Sequence, residues 1–260
     1  MTVKDIAKTI EDFAPLALQE SYDNAGLQVG DPEMQVSSAL LCLDVTEEIL
    51  EEARQRECNL IVSHHPLIFR GLKHLTGSTP TERIVMKALT SGIAIYSAHT
   101  NLDSTFEGVS YEIANSLGMT GLRPLRQAGD NPRTGLGVVG TVKPTPRLEF
   151  LRRVKETFGV RDLRYSSQDS RIVVRTVAVC GGSGGSLIDD AIRAGADVYV
   201  TGDLRYHDFT SYGDAMILAD IGHYESELCS QKIFSRVIRG KYPDFATYFA
   251  ESESNPIKIL

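Results

Sequence analysis

Two adjacent histidines, His64 and His65, follow the apolar run Leu60-Ile61-Val62-Ser63, and Pro66 then stops the extended chain. The run reads as a buried strand, and side chains at the carboxyl ends of strands in α/β proteins face the crevice where ligands bind. Two imidazoles there can approach one cation or two neighbouring ones; zinc, manganese, nickel and ferrous iron all accept neutral imidazole. Taken alone, the pair fits equally well a packed histidine beside a loop cap. Two further strand ends shift that balance. Ile95-Tyr96-Ser97-Ala98 runs into His99-Thr100-Asn101-Leu102-Asp103. Ile217-Leu218-Ala219 runs into Asp220-Ile221-Gly222-His223-Tyr224-Glu225-Ser226-Glu227. His223 and Glu227 stand four apart at a helix start, so both side chains lie on one face. Such a pair can hold one ion, or its carboxylate can bridge two.

His64, His65, Asp103, His223 and Glu227 together offer three nitrogens and two carboxylates. The set is too rich for one simple structural site and lacks the thiolates of a closed structural zinc site. It suits two cations about 3.5–4 Å apart, an arrangement that generates a hydrolytic nucleophile at neutral pH. His99 and His207 read as groups that orient ligands through hydrogen bonds. His74, alone in a loop, reads as exposed.

The elements that must position these residues form a repeated pattern. Ala39 to Leu43 is a strand, Thr46 to Arg56 a helix with carboxylates in its first turn, and Leu60 to Ser63 a second strand. Thr176 to Cys180, Ser186 to Ala194 and Asp197 to Thr201 repeat that order. Laid over one another without gaps, Cys42 meets Cys180, Ala53 meets Ala191, Asn59 meets Asp197 and Ser63 meets Thr201. Each repeat continues into a helix and a third strand, Gly92 to Tyr96 and Asp214 to Leu218. Strand-helix-strand order with right-handed crossovers predicts a largely parallel, helix-covered sheet, so the chain reads as two related α/β layers. An amphipathic helix is expected over residues 2–20 (Val3, Ile6, Ile10, Phe13, Leu16), and a last strand near Thr247 to Ala250. Residues 123–175 change character: a loop near Arg126 to Pro132, a glycine-rich strand over Gly135 to Val142, and a helix opened by Thr145-Pro146-Arg147. The halves are therefore drawn at 1–122 and 123–260, with a tail that can return to the first half.

A formal net charge of −7 over 260 residues, without a basic cluster, argues against a nucleic-acid footprint. No run has the length of a membrane span, and the N-terminus lacks the apolar core of a signal peptide, so the expected compartment is the cytoplasm. Cys42, Cys58, Cys180 and Cys229 lie far apart and read as packing residues. Cys180-Gly181-Gly182-Ser183-Gly184-Gly185-Ser186 fits a tight turn or a phosphate cradle equally. Arg70 and Lys73 read as solvated loop charges that could meet an anionic substrate. Asp203, Arg205 and His207 read as a cavity wall or as groups orienting ligands.

Ser21-Tyr22-Asp23-Asn24-Ala25-Gly26-Leu27, Ser63-His64-His65-Pro66, His99-Thr100-Asn101-Leu102-Asp103 and Gly222-His223-Tyr224-Glu225-Ser226-Glu227, in this order over nearly the whole chain, resemble the GTP cyclohydrolase 1 type 2 homologue family, also called the NIF-three family. The resemblance implies a duplicated three-layer α/β/α fold of two similar intertwined domains, a toroidal homohexamer and two divalent metal ions per chain. It implies that His65 and Asp103 hold one ion, His64 and His223 the other, and that Glu227 bridges them. It also implies the short form of the family, without the extra inserted domain of some members. The function expected is a metal-dependent hydrolase acting on a nucleotide-like small molecule, with Glu227 in the reaction centre and His99, His207 or Glu225 as proton donor. The alternative is a non-catalytic metal-binding scaffold or regulatory interaction protein.

Overall fold

The computed structural model describes residues 1–166 and 173–260, so residues 167–172 of the 123–175 segment lie outside the described residues. The chain runs α1 (Val3–Phe13), β1 (Gly26–Val29), β2 (Ser38–Cys42), α2 (Glu47–Gln55), β3 (Leu60–Ser63), α3 (Pro80–Thr90), β4 (Ala94–Ser97) and α4 (Thr100–Ser104). Next come α5 (Val109–Ser116), β5 (Thr120–Gln127), β6 (Gly135–Pro146), α6 (Arg147–Thr157), β7 (Arg164–Tyr165), β8 (Val173–Ser183) and α7 (Ile188–Arg193). They are followed by β9 (Val198–Gly202), α8 (Tyr206–Tyr212), β10 (Ile217–Asp220), α9 (His223–Glu227), α10 (Ser230–Lys241) and β11 (Ala246–Phe249).

Local chemistry accounts for the element ends. Thr2 and Asp5 form a reciprocal capping box at the start of α1, which buries Val3, Ile6 and Ile10. The helix stops at Phe13, short of the expected residue 20, because Ala14 precedes Pro15 and is biased out of helical geometry. Leu16–Leu18 form only a 3₁₀ turn. The Thr46 hydroxyl accepts from the Ile49 amide to open α2, with Glu47 and Glu48 in its positive first turn. Thr79 does the same for α3, with Pro80 at the first position.

The chain divides into two compact units. Met1–Leu102 with Ser230–Leu260 make the first, and Asp103–Cys229 the second, the boundary falling within α4. The sequence placed a boundary at 122. In the structure α5 packs on β6 and β8, and β5 pairs with β6, which ties 103–122 to the second sheet. The tail goes the other way, with β11 lying parallel to β2.

The first sheet has the order β1-β4-β3-β2-β11. Three of its four pairings are parallel, and the fourth, at the β1 edge, runs antiparallel to β4. Every residue of β2, β3 and β4 is buried, as expected of parallel strands covered on both faces. The second sheet has the order β5-β6-β8-β9-β10-β7. Here β8, β9 and β10 are parallel, while β5, β6 and β7 add antiparallel pairings. Parallel character is thus concentrated in the two repeated strand triplets. Leu40, Ile49, Ile61 and Ile95 belong to the core of the first unit, and Ala178, Ile188, Tyr199 and Leu218 to that of the second.

Candidate functional site

In the first unit the ends of β3 and β4 bring three imidazoles together. Ring centroids lie 5.3 Å apart for His64 and His65, 5.4 Å for His64 and His99, and 5.5 Å for His65 and His99. Each ring is held by its Nδ1 nitrogen. His64 Nδ1 lies 2.8 Å from the Ala98 carbonyl, which can only accept, so Nδ1 carries a proton. His65 Nδ1 lies 2.8 Å from Asp44 Oδ1, and His99 Nδ1 2.8 Å from Asp23 Oδ1. The main chain is fixed as well. The His65 carbonyl accepts from Ser63 Oγ at 2.8 Å and Ser97 Oγ at 3.3 Å.

Burial of Asp23 opposes its charge, yet hydrogen bonds from His99 and Thr100 outweigh this and hold the carboxyl well below the carboxylate range. His99, read from the sequence as an orienting group, is therefore tethered like His64 and His65. The Asp44 and Asp23 tethers were not picked out from the sequence. Asp44 does lie just beyond the carboxyl end of a strand, which was the available signal. Exposed Tyr22 and Phe69 have ring centroids 6.4 Å apart, and Phe69 stands 6.2 Å from His99.

The second unit holds His223 and Glu227 on α9. His223 Nε2 lies 2.9 Å from Glu227 Oε2, and His223 Nδ1 lies 2.8 Å from Asp203 Oδ2. The hydrogen bond to Glu227 chiefly, opposed by burial and helped by Asp203, pushes the imidazole pKa up to about 9. Two donors that converge on one proton would converge equally on a cation. Asp203 reaches His223 from a left-handed backbone with φ +57°, a conformation that Asp tolerates better than most residues. Asp220 holds both sides of this arrangement. Its carboxylate accepts from the Leu204 amide at 3.0 Å and the Gly222 amide at 2.9 Å, and from Arg164.

The glycine-rich stretch builds space here. A Cβ at Gly182, where φ is +62°, would stand 2.1 Å from Glu227 Oε1, so only glycine leaves room for that carboxylate. The Gly181 amide is directed at Ser110 Oγ at 3.4 Å, and the Gly182 amide donates to Ser226 Oγ at 2.8 Å. Both amides are committed within the unit, which favours close packing over a phosphate cradle at these positions. Half-buried Asp103 sits on α4, and its field together with that of Glu227 adds to burial in raising the Cys180 thiol to about 12. Cys180 is thus an inert core thiol, and all four cysteines are unbridged.

The remaining candidates fall elsewhere. His207 is exposed on α8, with its ring 5.5 Å from that of Tyr206, and no described contact joins it to His223 or Glu227. The sequence placed it near the ligands because it follows β9 by five residues, but α8 starts at Tyr206 and carries it outward. His74, Arg70 and Lys73 are exposed, as solvated loop residues should be. Glu225 is half-buried beside Gly222.

The fold and these residues define a two-sheet α/β protein whose strand ends carry tethered imidazoles and carboxylates of metal-ligand type. The profile of the family Duf34/NIF3 (NGG1p interacting factor 3) matches residues 1–256. A Clostridium acetobutylicum protein named GTP cyclohydrolase 1 type 2 homolog is 35% identical over 243 residues, 92% of this chain and 90% of its own length. A Clostridium perfringens protein of the same name is 38% identical over 229 residues, 87% of each chain. Among solved structures, a Staphylococcus aureus hypothetical protein superposes with TM-score 0.92 and 25% identity, covering 100% of this chain and 99% of that one. Reduced HcgD from Methanocaldococcus jannaschii superposes with TM-score 0.78 and 29% identity, covering 95% and 97%. The chain belongs to the Duf34/NIF3 family. Among the described residues no helix is long and apolar enough to cross a membrane.

Proposed function

We propose that this protein binds two divalent metal ions through His64, His65, Asp103, His223 and Glu227, and hydrolyses a nucleotide-like small molecule. The observation that carries the reading is the uniform tethering of the imidazoles. Nδ1 of His64, His65 and His223 each meets a carbonyl or carboxylate at 2.8 Å, the arrangement that presents Nε2 to a metal. The donor set of nitrogen and carboxylate suits zinc, manganese, nickel or iron, and the space kept open by Gly182 fits Glu227 as a ligand. When bound, such ions activate water for hydrolysis and polarise the bond attacked. The chain's own part is to orient and to move protons. Asp44 and Asp203 fix the rings, while His99, with Nδ1 on Asp23, is the proton donor this reading favours. The substrate class follows from the relatives' name and from exposed Tyr22 and Phe69, rings of the kind on which a planar base stacks. The same reading includes a homohexamer, in the cytoplasm, where four unbridged cysteines are at home.

The test is metal analysis of the purified protein beside a Glu227→Ala variant, with both assayed on GTP and a nucleotide panel. Two metals per chain, reduced in the variant together with turnover, are expected. Two metals with no turnover on any compound would replace hydrolysis by the scaffold role. No metal after reconstitution would overturn the proposal.

A further inference from the structure

The segment after β11 returns along the first unit to the residue that orients His65. Past the strand, the Ala250 amide donates to the Leu41 carbonyl at 3.0 Å. The Glu251 and Ser252 amides donate to the Glu52 carboxylate at 2.9 and 2.8 Å. Glu253 then turns inward. Its carboxylate accepts from the Leu43 amide at 2.6 Å and the Asp44 amide at 3.1 Å, and Gln231 Nε2 donates to it at 2.5 Å. Leu43 and Asp44 lie just beyond the last residue of β2, where the ladder no longer supplies acceptors for their amides.

From there two bonds lead to His65. The His65 amide donates to the Leu43 carbonyl at 2.9 Å, and the Asp44 carboxylate meets His65 Nδ1 at 2.8 Å. Main chain and ring of His65 are thus both referred to a dipeptide whose amides end on one carboxylate. Hydrogen bonds to an ionised acceptor are short and strongly directional. Outer partners of a ligating histidine set its ring orientation and tautomer.

We infer that Glu253 is a positioning residue for His65, acting through the Leu43–Asp44 backbone, and that the C-terminal segment is part of the metal-binding apparatus. The inference rests on the proposed role of His65 as a ligand, but its first readout does not need a metal. In the metal-free protein, NMR of the histidine ring nitrogens reports the Nδ1–H of His65 bonded to Asp44. Co²⁺ alone serves as probe for the second readout, its affinity taken from competition with a chelating dye. The variants are Glu253→Ala, Glu253→Gln, which keeps the volume if the alanine form fails to fold, and Glu251→Ala. The last loses only an exposed ion pair to Arg56 and serves as control.

Loss or exchange broadening of the His65 ring signal in both Glu253 variants, with Co²⁺ affinity lowered about 10- to 100-fold and Glu251→Ala unchanged, is the expected result. A wild-type ring signal in Glu253→Gln overturns the inference, even if the melting temperature falls. A wild-type protein that binds no Co²⁺ overturns the metal reading instead, and the ring signal then decides the role of Glu253 by itself.

Discussion

The two repeated strand triplets share their scaffold and differ in what they mount on it. In the first unit the Asn59 side chain accepts from the Ser37 amide at 3.0 Å, and in the second Asp197 accepts from the Arg175 amide at 2.8 Å. The helix-to-strand turn closes with Cys58 N to Ala53 O at 2.8 Å in one and Ala196 N to Ala191 O at 3.1 Å in the other. The third strand enters with Ala94 N on Asn59 O and Ile217 N on Asp197 O, both at 3.0 Å. It leaves with Ala98 N on Ser63 O at 3.0 Å and Ile221 N on Thr201 O at 2.9 Å. Matching bonds at matching positions are what internal duplication predicts.

The chemistry has changed places on that frame. Position by position, Asp44 meets Gly182, and His64-His65 meets Gly202-Asp203. In the first unit the middle strand ends in imidazoles, and the acid comes from the strand before it. In the second the middle strand ends in the acid, and the imidazole comes after the third strand. A side chain at Gly182 would collide with Glu227, and one at Gly202 would stand 2.8 Å from the His223 amide. Glycine at these two positions of the second unit leaves the room that α9 occupies. The two units thus share backbone hydrogen bonds and differ in the side chains mounted on them.

The sharpest break of this comparison is Gly182→Ala. The added methyl group meets Glu227 at a left-handed backbone position, so a stability loss of about 2–4 kcal/mol is expected in chemical denaturation. Loss of bound metal should accompany it. Its counterpart Asp44→Gly creates no clash and should lower metal affinity only through the freed His65 ring.

An intermediate effect is the pH dependence of the second unit. The folded pKa of His223 lies above its ordinary value near 6.5, so in metal-free protein its stabilising contribution is fully present below about pH 6.5. It is lost as pH rises through about 9. Urea melts over this range should show the decline, and Glu227→Gln should flatten it. No matching decline is expected from Asp23 there. Its lowered carboxyl pKa gives stability that is kept above about pH 4 and lost only on acidification.

The smallest effect sharpens the duplication itself. Asn59→Ala and Asp197→Ala each remove the acceptor for the equivalent amide, at a cost of about 1–2 kcal/mol. Losses of similar size are expected, since the Asp197 carboxylate also serves the Thr176 amide and the Asn59 amide group also donates to the Gln35 carbonyl. Equal melting temperatures for wild type and both variants would remove this bond from the shared scaffold.

Strand identity, the repeat and the placement of histidines at strand ends were legible because burial of parallel strands leaves continuous apolar runs that stop where the site starts. The start of α2 was legible from Thr46 and the acids after it, because capping chemistry is local. His207 misled, because distance along the chain does not say which way a short helix turns after Asp203. Asp23 and Asp44 were silent for a related reason. An acid near a strand is ordinary, and only its distance to an imidazole gives it a role.

The sequence by itself determined the repeated α/β pattern, the ligand-type residues and the family, since all three rest on residue order and period. Tertiary structure alone decided which acid holds which ring, why Gly182 must lack a side chain, and that the C-terminal strand returns to β2 and brings Glu253 to Leu43 and Asp44. These depend on groups 20 to 210 residues apart meeting within hydrogen-bond distance. Such meetings are set by packing of whole sheets and helices, and no local preference encodes them.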